Sequence, residues 1–213
     1  MSVIVIAGCH GKIALRLARL LSARGDSVRS LIRNPGHAAG VHAAGAEPVL
    51  ADMEALDDLA EFVEGADAVV FAAGAGPGSG PERKRTVDLG AAVKLLDAAT
   101  ATGARRYLMV SSIGAGDPAS GGGAMNPYLE AKAEADAALS ASDLDWTIVR
   151  PGALTDEPGT GLVWVGEDER RAAVTRDDVA AVLAACLDEP GTVRKTFVLL
   201  QGETPIAEAL ASL

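Results

Sequence analysis

The sequence predicts an α/β fold, a doubly wound parallel sheet with helices on both faces and a small carboxyl-terminal region of substrate loops. Short apolar runs without polar alternation recur along the chain, as strands buried on both faces do. Segments with helical spacing separate most of them, the rhythm of repeated β-α units. Irregular, glycine-rich stretches follow three of the strands, where such sheets bind ligands. The 213 residues fit one domain, 1–213, with an ample core.

The elements follow in order. Residues 3–7 are apolar, rich in β-branched side chains, and stop at Gly8. Residues 12–24 carry Ile13, Leu17, Leu20 and Leu21 at helical spacing. Further strands are expected at 27–32, 48–50, 68–71, 107–110, 146–149 and 197–200, and further helices at 56–64, 83–102, 127–141, 177–187 and 205–213. The irregular stretches are 74–81, 114–126 and 151–171, the last with little pattern beyond Leu162-Val163-Trp164-Val165. In an open parallel sheet all three leave the carboxyl ends of strands, so they form a binding rim, with 114–126 and 151–171 as its substrate side. Trp164 reads as ordinary packing rather than pocket lining.

Charge and cysteine content narrow the function classes. The formal net charge is −10, which repels phosphate backbones and anionic lipid and argues against nucleic-acid or membrane partners. An anionic ligand therefore needs a local device. Two cysteines, Cys9 and Cys186, make neither a disulfide framework nor a zinc cluster, and His37 and His42 lack a carboxylate partner, so no metal is expected. The amino terminus has no basic region and only a short apolar run. The expectation is a soluble, cytoplasmic protein, monomer or homodimer, acting on a small molecule.

Gly8-Cys9-His10-Gly11-Lys12-Ile13-Ala14 follows a strand and opens a helix. A dinucleotide pyrophosphate needs a tight turn, close backbone approach and the free amides of a helix start. Gly8 and Gly11 meet the first two needs, and Ala14 is small enough for close helix packing. No Gly-Lys-Ser/Thr closes the loop, so it is not a nucleoside-triphosphate loop. Cys9 reads as a small residue in a crowded turn, with a redox-sensor role as the alternative.

After the second strand the run is Leu31-Ile32-Arg33-Asn34-Pro35. A carboxylate here would accept from a ribose 2′-hydroxyl, whereas Arg33 offers a guanidinium fork to a 2′-phosphate, so NADP(H) is favoured over NAD(H). Asp52, with Met53 beside it, is placed for the adenine amino group. Ala72-Ala73-Gly74 would let the adenosine ribose lie flat against the backbone.

Tyr128-Leu129-Glu130-Ala131-Lys132 is the most chemical segment. Asn126 and Pro127 suit a helix start, and Tyr128 and Lys132, four apart, share a face. An ammonium near a phenol stabilises the phenolate, which suits Tyr128 to acid-base work. Lys132 can also hold ribose hydroxyls. Ser111 and Ser112 end the fifth strand after Val110, and Ser112 is the expected partner for a carbonyl oxygen.

With these pieces in place, the chain resembles the short-chain dehydrogenase/reductase superfamily, in its atypical NAD(P)-binding branch of NmrA-like and flavin or biliverdin reductase-like proteins. The resemblance runs through 8–14, 31–35, 51–52, 72–74, 110–114, 128–132, 146–154 and 175–180, almost the whole chain. It implies a Rossmann-type fold, the Ser112/Tyr128/Lys132 roles, and nicotinamide-side contacts from Pro151, Gly152, Ala153 and Leu154. The gap from Ser112 to Tyr128 is longer than in many catalytic members, and the chain is short for the substrate domain of sugar-nucleotide epimerases. The expected function is NADP(H)-dependent hydride transfer to or from a small carbonyl, quinone-like or flavin-like substrate. The alternatives are an NADP(H)-binding redox sensor or regulatory protein with little or no chemistry and, third, an isomerase or epimerase using transient hydride transfer.

Overall fold

The computed structural model describes residues 1–8, 10–76, 78–121, 126–168, 170 and 172–213, with Ser120 and Gly121 described in backbone only. Cys9 lies outside them, as does part of the 114–126 rim. The order is β1 (Val3–Ala7), α1 (Lys12–Ala23), β2 (Ser27–Ile32), a 3₁₀ turn (Pro35–His37), α2 (Ala38–Ala43), β3 (Glu47–Leu50), α3 (Ala60–Val63) and β4 (Ala68–Phe71). A composite helix follows, made of α4 (Pro81–Arg83), a π-helical segment (Lys84–Ala91) and α5 (Ala92–Thr102). Then come β5 (Arg106–Val110), α6 (Asn126–Ser140), β6 (Asp145–Pro151), β7 (Ala153–Thr155), β8 (Leu162–Gly166), β9 (Ala173–Thr175), α7 (Arg176–Cys186), β10 (Lys195–Gln201), β11 (Thr204–Pro205) and α8 (Ile206–Ala211).

The main sheet runs β11-β8-β10-β6-β5-β4-β1-β2-β3. From β10 to β3 every pairing is parallel, with the order reversing across β1 and β4. That reversal opens a crevice at the carboxyl ends. β8 and β11 extend the edge antiparallel, and β7 pairs β9 in a small separate parallel ribbon. Alternation along each strand divides the core between the two faces. Ile4 and Ile6 of β1 pack with α1 and α7 residues such as Leu17 and Leu183, while Val5 and Ala7 face Leu95, Leu96 and Leu139 of α5 and α6. Among the described residues no helix is long and apolar enough to cross a membrane.

Several elements depart from the sequence expectation. The helix expected at 56–64 contracts to α3, because Asp58 Oδ1 accepts from the Ala60 amide (2.9 Å) in a local turn that competes with an earlier start. The helix expected at 83–102 contains eight π-helical residues, whose wider turn carries Asp88 into the interior. The 151–171 stretch contributes β7 and β8.

Asp178 fixes that rim to the fold. It is buried on the first turn of α7, where Thr175 caps the helix by accepting from the Asp178 amide (3.0 Å) and donating to Asp178 Oδ2 (2.9 Å). Its carboxylate also accepts from the amides of Gly161 (2.8 Å) and Thr160 (3.1 Å). Removing it strands the buried Thr175 hydroxyl and frees the 160–161 backbone, so Asp178→Ala should lower stability by about 1–3 kcal/mol, measured by urea unfolding.

Candidate active site

Two adjoining clefts open along the carboxyl ends of β1, β2, β4, β5 and β6, and they share Ala73 and Gly74. The smaller, about 190 Å³, is lined by Gly8, His10, Gly11, Arg33, Asp52 and Met53, together with Glu54, Arg83 and His37. The larger, about 600 Å³, is lined by Ile13, Ala72, Val110, Ser112, Tyr128, Lys132, Pro151, Gly152 and Leu154, together with Lys84, Asp88 and Ser111. The expected cofactor and catalytic residues therefore divide between two halves of one crevice. Of the described candidates, Lys12 and Ala153 stand outside both clefts. Lys12 Nζ is bound to Asp156 (2.5 Å), and Ala153 donates its amide to Ala172 O (3.1 Å) as β7 meets β9. Trp164 is also outside, with the Arg170 guanidinium 4.5 Å from its ring centre.

The first turn is shaped by backbone proximity. Gly8 sits at φ +93°, and a Cβ there would lie 2.5 Å from Ala73 Cα and N, so only glycine lets the β1 and β4 ends touch. Gly11 N donates to Gly8 O (2.8 Å), and α1 begins without a side-chain cap. The Gly11 turn that opens α1 lines the smaller cleft, on the side of the positive end of the helix dipole. His10 stacks on His37, ring centres 3.8 Å apart, and closes the outer wall of the smaller cleft. Asp52 Oδ1 accepts from the Glu54 amide (3.0 Å), turning the chain so that the Glu54 carboxylate meets Arg33. Arg33 Nη1 and Arg83 Nη2 bind Glu54 Oε2 (2.5 and 3.1 Å), and Thr86 Oγ1 donates to Oε1 (2.8 Å). Partial burial opposes its charge, yet hydrogen bonds from Arg83 and Thr86 and the two guanidinium charges hold Glu54 below the usual carboxylate range.

The larger cleft is organised by Lys132, which is buried. Its Nζ donates to Val110 O (3.1 Å) and Ala73 O (3.5 Å) and forms an ion pair with Asp88 Oδ1 (3.3 Å). Asp88 is fully buried, and its other oxygen accepts from the Ala75 amide (3.2 Å). Tyr128 is half-buried, one turn before Lys132, whose ammonium lies 6.0 Å from its ring centre. Lys84 approaches the same ring to 5.1 Å and donates to Gly76 O (3.0 Å). The two serines diverge. Ser111 Oγ points into the protein and donates to Asp136 Oδ2 (2.9 Å), whereas Ser112, half-buried on the cleft, donates to Ile113 O (3.1 Å). Burial pushes the Asp136 carboxyl up, against the hydrogen bond from Ser111 and the charge of Arg150, which binds the same oxygen (3.0 Å).

Sequence reasoning missed Lys84, Asp88, Asp136, Glu54 and Arg83. Asp88 and Asp136 had a detectable signal, since each is an acid one turn after a lysine and one turn before apolar core positions, Ala91 and Ala92 for the first and Leu139 for the second. Glu54 and Arg83 had none, because their pairing spans 29 residues.

A nicotinamide dinucleotide fits this crevice on its own chemistry. The smaller cleft provides the glycine turn at the uncapped start of α1 and two guanidinium groups, and the larger provides a fixed ammonium and a phenol. Comparisons with known proteins agree with the geometry. Residues 8–190 match the family described as NAD(P)H-binding. An uncharacterized sugar epimerase of Bacillus subtilis is 42% identical over 212 residues, covering 99% of each chain. Among solved structures, a Bacillus halodurans protein provisionally named as an NAD-dependent epimerase/dehydratase superposes with a TM-score of 0.95 at 39% identity, covering 100% of both chains. An oxidoreductase of Lactococcus lactis gives a TM-score of 0.86 at 31% identity, covering 99% of this chain and 96% of that one. Glycine turn, crevice and family match converge, and the chain belongs to the NAD(P)H-binding family with a Rossmann-type, atypical short-chain dehydrogenase/reductase-like fold.

Proposed function

We propose that the protein is an NADP(H)-dependent oxidoreductase acting on a small carbonyl, quinone-like or flavin-like substrate. The single observation that carries this reading is Lys132, a buried ammonium held beside Tyr128 in a cleft continuous with the nucleotide end. A protein that only bound nucleotide would need neither the phenol nor the charge behind it. Relatives carry both epimerase and oxidoreductase names. The reductase reading is favoured by the cleft walls, where Ala72 to Gly76, Pro151, Gly152 and Leu154 suit a flat unsaturated substrate better than a polyhydroxylated one.

Bound nicotinamide supplies or accepts the hydride. Tyr128 Oη holds the proton destined for the substrate oxygen, and Ser112 Oγ orients that oxygen by a hydrogen bond. Lys132 and Lys84 stabilise the charge left on the phenol once its proton has gone. Lys132 needs no ligand to hold it in place, since the Val110 and Ala73 carbonyls and Asp88 already do so. At the nucleotide end the α1 amides bind the pyrophosphate and Arg33 the 2′-phosphate, with Asp52 and Met53 against the adenine.

Tyr128→Phe should leave NADPH affinity unchanged and lower turnover about 10²–10⁴-fold, read as NADPH oxidation against carbonyl, quinone and flavin panels. Unchanged turnover would remove the phenol from the mechanism, and a panel with no reactive member would favour the redox-sensor alternative. Arg33→Ala should weaken NADPH by roughly 1.5–3 kcal/mol more than NADH in titration calorimetry, and equal weakening would remove the 2′-phosphate assignment.

A further inference from the structure

At the outer end of the smaller cleft, one carboxylate holds a position suited to a phosphate. Glu54 takes two guanidinium donors and a hydroxyl donor, from Arg33, Arg83 and Thr86, at 2.5, 3.1 and 2.8 Å. Fork-shaped guanidinium pairs supplemented by a hydroxyl are the donors a phosphate monoester recruits. The Arg33 and Arg83 side chains are 53% and 41% exposed, so a ligand can reach them from solvent.

The carboxylate is built into this position. The Asp52 carboxylate accepts the Glu54 amide (3.0 Å), and Lys94 Nζ donates to the carbonyls of Glu54 (3.3 Å) and Leu56 (2.6 Å). The backbone is therefore pinned, and only the side chain is available to swing. With Glu54 the cluster carries a net charge of +1, two arginines against one carboxylate. A phosphate monoester brings about −1.5 to −2 at neutral pH, enough to leave the occupied cluster negative while Glu54 remains beside it.

We propose that Glu54 is an internal competitor for the cofactor's 2′-phosphate, with Arg83 as a second anchor beside Arg33, so that this carboxylate sets the balance between NADP(H) and NAD(H). The proposal rests on the 2′-phosphate reading of Arg33. Binding of the phosphate requires the Glu54 side chain to leave both guanidinium groups, a cost that NADH, with a ribose hydroxyl there, does not incur. Loss of the carboxylate frees Arg33 and Arg83 and removes a like charge from the site.

The experiment is titration calorimetry of wild type, Glu54→Gln, Glu54→Ala, Arg83→Ala and Arg33→Ala with NADPH, NADH and adenosine 2′,5′-bisphosphate. Both Glu54 variants should tighten NADPH and the bisphosphate about tenfold or more while NADH changes less than about threefold, and Arg83→Ala should weaken the two phosphorylated ligands about tenfold with NADH unmoved. NADH affinity also reports that each variant is folded. Unchanged or weaker NADPH in both Glu54 variants overturns the competitor role, and selective loss of NADH would make Glu54 a ribose ligand instead. If Arg33→Ala loses NADPH selectively while Glu54 variants do nothing, the proposal fails and the 2′-phosphate reading survives. If Arg33→Ala weakens NADPH and NADH equally, both fall.

Discussion

An ammonium withdrawn from water must find partners, and the way Lys132 finds them organises the crevice. Its donors reach the carbonyls that end β4 and β5 and the carboxylate of Asp88, so one side chain ties two strand ends to the π-helical segment and to α6. Removing one partner of a buried ion pair typically costs about 3–5 kcal/mol, because the other charge is stranded. Asp88 is thus as necessary to the site as Lys132 itself. The π-helical turn follows from the same requirement, since its extra residue per turn brings Asp88 inward toward Gly74 and Ala75. One turn further along α6, Asp136 repeats the device with Arg150 and Ser111. Two opposite-sign pairs on one buried helix face hold the floor of the larger cleft at a single register.

The overall charge of −10 opposes an anionic ligand, so attraction must be local and short-ranged. Several basic groups around the crevice are paired with carboxylates. Arg33 and Arg83 share Glu54, and Lys12, Arg16 and Arg176 surround Asp156 at the opposite rim. Pairing keeps these cations ordered and prevents an open basic patch from collecting unrelated anions. An anion arriving at these cations would have to displace a resident carboxylate, Glu54 at one rim or Asp156 at the other.

Much of the scaffold was legible because burial on both faces leaves its mark on sequence. The β-branched runs at β1, β2 and β4 and the Ile13/Leu17/Leu21 stripe of α1 report directly on the faces they cover. The glycine turn was legible for a similar reason, since a positive φ against the Ala73 backbone admits little else. Short elements escaped. α2 buries only Val41, and β7 exposes most of its three residues, so neither has a periodicity to detect. The π-helical turn escaped for a different reason, because its hydrophobic positions also satisfy an ordinary helix and only the inward acid at Asp88 betrays the change. Tyr128 and Lys132 were visible as a local pair, whereas the partners that fix Lys132 come from β4, β5 and the π-helical segment and belong to tertiary structure.

The same chain segment touches both ends of the crevice. Arg83 and Thr86 face Glu54 in the smaller cleft, while Asp88, two residues beyond Thr86, holds Lys132 in the larger. Between them Gly74 belongs to both clefts, and Asp88 accepts from the amide that follows it. Any rearrangement that frees Arg83 and Thr86 therefore takes place within one helical turn of the Asp88–Lys132 pair. Packed helices shift between discrete arrangements rather than deforming continuously, and this segment is tied by ion pairs at two points, Arg83 to Glu54 and Asp88 to Lys132. In this architecture the setting of Glu54 in the smaller cleft and the placement of Lys132 beside Tyr128 in the larger both draw on one irregular helix.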